Sequence, residues 1–312
     1  MVDARSSARS VVAVVVTYNR CELLRQTLRA IDAQTVQLAR ILVIDNASTD
    51  GTAEMLGGIE LSTAVDVLRQ PRNLGGAGGF KLGLRRAWQA GGEWFWCMDD
   101  DCLPAPEALA RLLAVPDVQG LERPGFLASR VLWTDGSPCL MNVPVPHAQW
   151  FVATALCPGV SRIVGSSFVS ILISRAAVDA VGLPVAEFFI WFDDAEYTRR
   201  IAARMPGYLV ADSVVVHQTR RNSEPLSFAE LDASSLWKFA CGVRNECAYA
   251  RRQQGWLAAG IFLARMMRRM AHARTPIRLR LRLLAAWLAG WRFDYTRYIE
   301  WPTPVEDEAR HA

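Results

Sequence analysis

At 312 residues, 51% hydrophobic and 21% charged, the chain can bury a sizeable core as one large domain with an appendage, which excludes a disordered or fibrous protein. Its seven cysteines are scattered without a C-x-x-C pair, which sets aside a structural zinc site or a dithiol motif and points to a reducing cytosol. The formal charge of +4 is uneven: residues 244–297 carry twelve arginines against Glu246 and Asp294, so the C-terminal region calls for an anionic partner, lipid headgroups or a diphosphate ahead of nucleic acid.

The first element is the β-branched run Val11-Val12-Ala13-Val14-Val15-Val16, which reads as a strand buried on both faces and is too short for a signal-peptide core. Leu23, Leu24, Leu28 and Ile31 follow at helical spacing. A second apolar run, residues 41–44, ends at Asp45, and a polar turn leads into a short helix. A third strand at 65–68, a helix at 78–90 and a fourth strand at 94–98 complete the alternation, which predicts an α/β fold with a mostly parallel, Rossmann-like sheet flanked by helices. A helix is expected at 104–114, and residues 133–163 read as an irregular excursion able to cover the site. Regular signals resume at 168–173, with a helix expected at 193–204 and a strand at 208–216. The pattern then turns helical to about residue 292, giving a catalytic domain over 1–225 and a basic helical region over 226–312. No apolar stretch reaches the roughly 18 residues that cross a bilayer. Arg265, Arg268, Arg269 and His272 fall on one helical face, and Leu263, Met266, Met267 and Met270 repeat that spacing opposite them. Such a helix suits a membrane interface; the alternative is packing of its apolar face on the catalytic domain.

In sheets of this kind ligands bind beyond the carboxyl ends of the strands, where Thr17-Tyr18-Asn19-Arg20, Asp45 and Asp99-Asp100-Asp101 fall. Three consecutive carboxylates repel one another unless a cation or donors offset them. Mg²⁺ or Mn²⁺ would do so and would also bind the diphosphate of a nucleotide; a solvated turn with Asp99 as a helix cap is the plainer account. Asp45 can accept a hydrogen bond from a base imide or a ribose hydroxyl. Arg72, Asn73, Gly75 and Gly76 open a glycine-rich run whose backbone N–H groups can approach an anion, although glycines also serve ordinary turns. Trp191-Phe192-Asp193-Asp194 sets acidic residues among aromatics at a helix start, as a general base beside an apolar face from Trp191 or Phe189, or only as stabilisers of the helix dipole. His217 ends a strand, where a structural role is the commoner one.

Residues 11–218 resemble the large inverting glycosyltransferase family 2, of the GT-A fold. The resemblance lies in Val15-Val16-Thr17-Tyr18-Asn19-Arg20, in residues 44–52 and 72–79, in the triple Asp, and in Phe192-Asp193-Asp194-Ala195-Glu196-Tyr197. Within that family the chain resembles galactofuranosyltransferases of the actinobacterial cell wall and their rhamnosyltransferase relatives, although one galactofuranosyl subgroup carries Trp where Phe192 stands. The resemblance implies a nucleotide-sugar donor, with Thr17, Tyr18, Asn19, Arg20 and Asp45 on its nucleoside and Arg72, Asn73, Gly75, Gly76, Asp99 and Asp100 along the rest. It implies Asp99, Asp101 and His217 as ligands of Mn²⁺ or Mg²⁺, which reverses the structural reading of His217, and Asp194 as the base. UDP-galactofuranose is expected ahead of TDP-rhamnose. The expected acceptor is a polyprenyl-diphosphate-linked glycan met by Trp191, Asp193 and Arg244 on the anionic inner face of the cell membrane, with no nucleic acid. A nucleotidyltransferase would share the sheet but wants a basic glycine-rich loop after the first strand, and Thr17-Tyr18-Asn19-Arg20 is a poor one. A non-catalytic glycan-binding relative would not need the intact acidic sites.

Overall fold

The fold is built around β1 (Val11–Thr17), all seven residues of which are buried. Val11, Ala13 and Val15 enter a cluster with Leu24, Leu28 and Ile31 of α1 (Cys21–Asp32) on one face. Val12, Val14 and Val16 enter a second cluster on the other. Strand alternation thus turns an unbroken apolar run into the midplane of a three-layer sandwich. A computed structural model describes residues 10–304; Arg5 and Arg9 lie outside the described residues.

The chain continues through β2 (Arg40–Asp45), α2 (Thr52–Gly58), β3 (Val65–Arg69), α3 (Gly75–Gln89) and β4 (Trp94–Asp99). These four strands are parallel in the order β3-β2-β1-β4. Next come β5 (Cys102–Pro104), α4 (Ala108–Ala114), β6 (Phe126–Leu132), β7 (Val145–Pro146), α5 (Trp150–Leu156), β8 (Val160–Gly165), β9 (Ile171–Ser174), α6 (Arg175–Val181), α7 (Asp193–Ala202) and β10 (Gly207–His217). They extend the sheet as β9-β6-β10-β8-β7, with β5 also on β10; here only β6 and β10 run parallel. The strand order reverses direction at β1, between β2 and β4. There Thr17 lies beside Asp45 and Val16 beside Asp99, so the polar strand ends meet at a topological switch point.

Three local readings change. The glycine-rich run is helical from Gly75 rather than from residue 78. Its glycines let α3 lie close on β1: a Cβ on Gly79 would stand 2.5 Å from Val16 Cγ1, and one on Gly83 2.3 Å from Val14 Cγ1. The segment at 104–114 is strand and turn before it becomes helix at Ala108. Residues 133–163, read as irregular, include β7, α5 and the start of β8, and β6 is a strand that the sequence pattern does not announce.

Beyond residue 225 stand α8 (Leu236–Tyr249), a π-helical turn Ala250–Gln254, α9 (Trp256–His272) and α10 (Ile277–Arg292). Phe239 and Val243 of α8, Met266 and Met270 of α9 and Leu283 of α10 form a core with Phe228, against which Trp191 packs. Ala248 and Tyr295 share another core with Ala77, Val185 and Phe188. The apolar face read on α9 is therefore largely internal: Met266 and Met270 are buried, Leu263 is half-buried, and of that set only Met267 is exposed. No helix among the described residues is long and apolar enough to cross a membrane.

Candidate active site

The acidic triplet sits at the end of β4, and each member has a different environment. Asp100 is buried and accepts from Thr17 Oγ1 at 2.7 Å and from the Tyr18 amide at 3.3 Å. Burial pushes its carboxyl up to about 6 against the pull of Arg20. Asp101 lies past the turn, where its carbonyl accepts from the Gln218 amide at 2.8 Å and so brings its side chain beside His217. Burial would raise its carboxyl, but hydrogen bonds and charge from His217 and Arg20 outweigh that and hold it below the ordinary value. Asp99, still in strand register, is raised to about 7 by burial and by Asp101. Its charge in turn helps raise Asp193, although nearly a hundred residues separate the two in the chain.

Asp101 Oδ1 and His217 Nε2 are 3.0 Å apart, and this oxygen has no settled hydrogen-bond donor. His217 Nδ1 stands 2.8 Å from Asn142 Oδ1, an acceptor, so Nδ1 carries a proton. Nε2 and Oδ1 then need a positive centre between them, either a second proton, which accords with a His217 raised to about 10, or a divalent ion. Two ligands about 2.1 Å from Mg²⁺ at a right angle are themselves about 3 Å apart, so the pair fits such an ion. Among the described residues Asp101, Cys102 and His217 bring ligand atoms within 4.8 Å of one another, and Asp99 is not in that group. The thiol of Cys102 is pushed far up by burial and the neighbouring carboxylates, which leaves it neutral and a poor ligand for a hard cation.

Asp45 is buried at the end of β2. Its Oδ1 accepts from the Ser48 amide at 2.8 Å, whereas Oδ2 has no hydrogen-bond partner and only Arg69 Nε at 3.7 Å. Asn19, with φ +54°, links this turn to the first: its amide donates to Ser48 Oγ at 3.0 Å and its Oδ1 accepts from Thr49 N at 2.7 Å. Arg20 pairs with Asp101 and stands 3.8 Å from Asp100. Arg72 is exposed, and Asn73 caps the Gly75 amide at 2.8 Å. A Cβ on Gly75 would fall 2.1 Å from the Phe189 carbonyl oxygen, so that glycine seats the loop preceding Asp193. Gly76 has open space around its missing side chain.

That loop is strained. Phe189, Trp191 and Phe192 all have left-handed φ, +64°, +63° and +74°. Asn245 of α8, fully buried, holds them: its Nδ2 lies 3.0, 3.2 and 2.8 Å from the carbonyls of Phe188, Ile190 and Trp191. Arg244 braces Asn245 Oδ1 and donates to the carbonyls of Glu187 at 2.7 Å and Phe188 at 3.2 Å. The sequence assigned Arg244 to the acceptor; in the fold its guanidinium serves this clamp. Trp191 likewise turns its ring onto Phe239, with centroids 5.0 Å apart, and the exposed ring beside Phe189 is Trp237. Burial and the neighbouring Asp194 raise Asp193 well above the ordinary range, while Asp194, half-buried, is raised to about 6 by burial. Asp193 is thus the more strongly raised of the pair, and Asp194, raised to about 6, is the one ionised at neutral pH.

Galactofuranosyltransferase GlfT1 of Mycolicibacterium smegmatis is 32% identical over 205 residues, 61% of this chain and 65% of its own length. GlfT1 of Mycobacterium tuberculosis is 30% identical over 222 residues, 67% of this chain and 70% of its own. The family described as glycosyl transferase family 2 matches residues 12–117. The chain belongs to glycosyltransferase family 2. It spans 65% of the length of the M. smegmatis relative, slightly under two thirds. The GT-A fold is shared with S. aureus TarS 1-349 in complex with UDP-GlcNAc, at a TM-score of 0.60 and 12% identity over 93% of this chain and 84% of that one. It is shared too with mannosyltransferase PcManGT from Pyrobaculum calidifontis in complex with GDP-Man and Mn²⁺, at 0.52 and 16% over 90% and 85%.

Several residues that build the site are not singled out in the sequence. Asn142 orients His217 from a segment with no periodic signal. Asn46 donates to the Gly75 carbonyl at 3.1 Å and keeps a buried, unpartnered Oδ1 beside Asp45; it lies within the 44–52 motif, where the signal that could have found it is its place next to a strand-end carboxylate. Asn245 and Trp237 come from the helical region that the sequence pattern marks as peripheral.

Proposed function

We propose that the chain transfers a glycosyl group from a nucleotide sugar to an acceptor hydroxyl with inversion at the anomeric carbon. The observation that carries this reading is the gathering of Asp45, Asp99, Asp100, Asp101 and His217 around Thr17 at the switch-point edge, where Asp193 feels the charge of Asp99. The free Oδ2 of Asp45 accepts from the nucleobase, with Thr17, Tyr18, Asn19 and Arg20 forming the adjoining wall. Asp101 and His217 would hold Mn²⁺ or Mg²⁺, with Asp99 close by, and the ion supplies positive charge for the departing diphosphate. Asp194 takes the proton of the acceptor hydroxyl as its oxygen bonds to the anomeric carbon and the bond to the diphosphate breaks. Asp193, beside it, lines the acceptor subsite.

Likeness to proteins named galactofuranosyltransferase supports a galactofuranosyl donor, UDP-galactofuranose ahead of TDP-rhamnose, and the acceptor proposed with it is a polyprenyl-diphosphate-linked glycan. Placement on the anionic inner face of the cell membrane is supported by a surface other than the one read from the sequence. Trp256, Leu257 and Ile261 on α9 and Ile277, Leu281 and Leu288 on α10 are exposed, between 44% and 72%, among Arg268, Arg278, Arg282 and Arg292. Residues 247–293 contain no acidic side chain to repel lipid headgroups. The deciding experiment incubates the protein and Asp194→Asn with UDP-galactofuranose, TDP-rhamnose and Mn²⁺ on a synthetic lipid-diphosphate glycan. Transfer from UDP-galactofuranose by the wild type alone supports the whole reading, and transfer only from TDP-rhamnose replaces the donor. Transfer of the nucleotidyl group with release of the sugar 1-phosphate, instead of release of a nucleoside diphosphate, makes the chain a nucleotidyltransferase.

A further inference from the structure

A lipid-diphosphate acceptor, the reading on which this inference rests, requires a cationic group for its diphosphate, and Arg244 is committed to the loop clamp and to the face of Phe293, 4.8 Å away. Other cations are open. Between the turn Phe228–Glu230 and α9 lies a cleft of about 460 Å³ walled by Arg268, Arg269, His272 and Ser227. Arg268 and His272 make no hydrogen bond or ion pair among the described residues. Arg269 has the Pro225 carbonyl at 3.4 Å, the Phe228 ring at 5.5 Å and Glu224, itself 72% exposed, at 3.7 Å. Arg268 and Arg269 repel one another; Glu224, and Glu246 of α8, offset Arg269 in part, and α9 and α10 carry no acid. Forked guanidinium groups beside an imidazole match the oxygens of a phosphate or diphosphate.

The placement suits an acceptor anchored in lipid. Leu257, Ile261 and Arg268 follow one helical stripe of α9 at i, i+4 and i+11, so the cleft opens along the exposed apolar face. Inward, Phe228 packs on Phe239 at 5.7 Å and Phe239 on Trp191 at 5.0 Å, two residues before Asp193. These packed rings join the wall of the cleft to the loop that carries Asp193 and Asp194. We infer that the cleft formed by Arg268, Arg269 and His272 binds the diphosphate of a lipid-linked acceptor.

The double variant Arg268→Gln/Arg269→Gln, both side chains being exposed, keeps the fold and tests the site. With the donor site filled by UDP, calorimetric titration of inorganic pyrophosphate should show binding to the wild type and at least ~10-fold weaker binding to the variant. KM for a lipid-diphosphate disaccharide in detergent should rise by a similar factor, while kcat, and KM for the octyl glycoside of the same disaccharide, stay unchanged. Equal pyrophosphate affinity in the two proteins, or an equal rise in KM for both acceptors, overturns the site. Weaker binding of the variant to phosphatidylglycerol vesicles with unchanged KM for the diphosphate acceptor makes the bound phosphate a bilayer headgroup and overturns the acceptor assignment. A wild type that transfers no sugar yet binds pyrophosphate through Arg268 and Arg269 retains the cleft and loses the transferase reading.

Discussion

Replacing Asn245 with Ala tests whether the catalytic loop is held in place from the C-terminal helices. The side chain is fully buried and its amide is the donor shared by the carbonyls of Phe188, Ile190 and Trp191. Phe188 also receives Arg244, so the substitution strands two acceptors, at Ile190 and Trp191. Each unpaired buried carbonyl costs about 1–2 kcal/mol, giving a loss of about 2–4 kcal/mol, a large part of a domain's usual margin. Part of that loss will appear locally, because Phe189, Trp191 and Phe192 each relax from a left-handed conformation worth about 1 kcal/mol of strain once the clamp is gone. Urea denaturation measures the global part. Turnover at saturating donor measures the rest: displacement of Asp194 should lower kcat about 10–100-fold, with donor affinity intact because Asp45 lies on another strand. Asn245→Asp keeps the partner of Arg244 but offers no donor to the carbonyls, so it should fall as far as the Ala variant. Wild-type stability and kcat in both variants would refute the clamp.

Asp194→Asn should lower kcat about 10²–10⁴-fold without weakening donor binding, and wild-type turnover would move the base to Asp193. The base acts as a carboxylate; with its carboxyl raised to about 6, the wild-type rate should hold above that pH and fall about tenfold per unit below it, as a pH–rate profile at saturating donor will show. Asn142→Ala frees the His217 ring and should weaken Mn²⁺ binding about 10–100-fold by calorimetry, with little effect on UDP affinity measured without metal; unaltered Mn²⁺ affinity would remove Asn142 from the site. Gly83→Ala forces a methyl against Val14 in the central strand and should cost about 1–3 kcal/mol, whereas Gly76→Ala, which meets nothing within 4 Å, should be neutral or slightly stabilising. Thermal unfolding of the two variants decides whether the glycines of α3 serve packing.

What the sequence carried well was local and periodic. The β-branched run of β1 could only be a strand covered twice, and Asp45 and Asp99 could only stand at strand ends, so the switch-point edge followed. What it carried poorly depended on partners distant in the chain. Phe126-Leu127-Ala128 is too short an apolar run to announce β6, which is recognisable as a strand only through its pairing with β9 and β10. Asn142 has a role because β10 delivers His217 beside it, and nothing within its own irregular segment says so. Gly78 and Gly79 look like a flexible anion loop by composition; the close approach of Val16 makes Gly79 a packing glycine instead. The sharpest case is α9. Its sequence contains two apolar stripes, one through Met266 and Met270 and one through Leu257 and Ile261, and 3.6-residue periodicity scores both. Which stripe becomes core is decided by Phe228, Phe239 and Leu283, contributed by a turn and two other helices, and they take the methionines. The stripe left outside is the one beside Arg268, on the other side of the helix from the methionines, and the membrane face proposed for α9 rests on that stripe and not on the one that the sequence singled out.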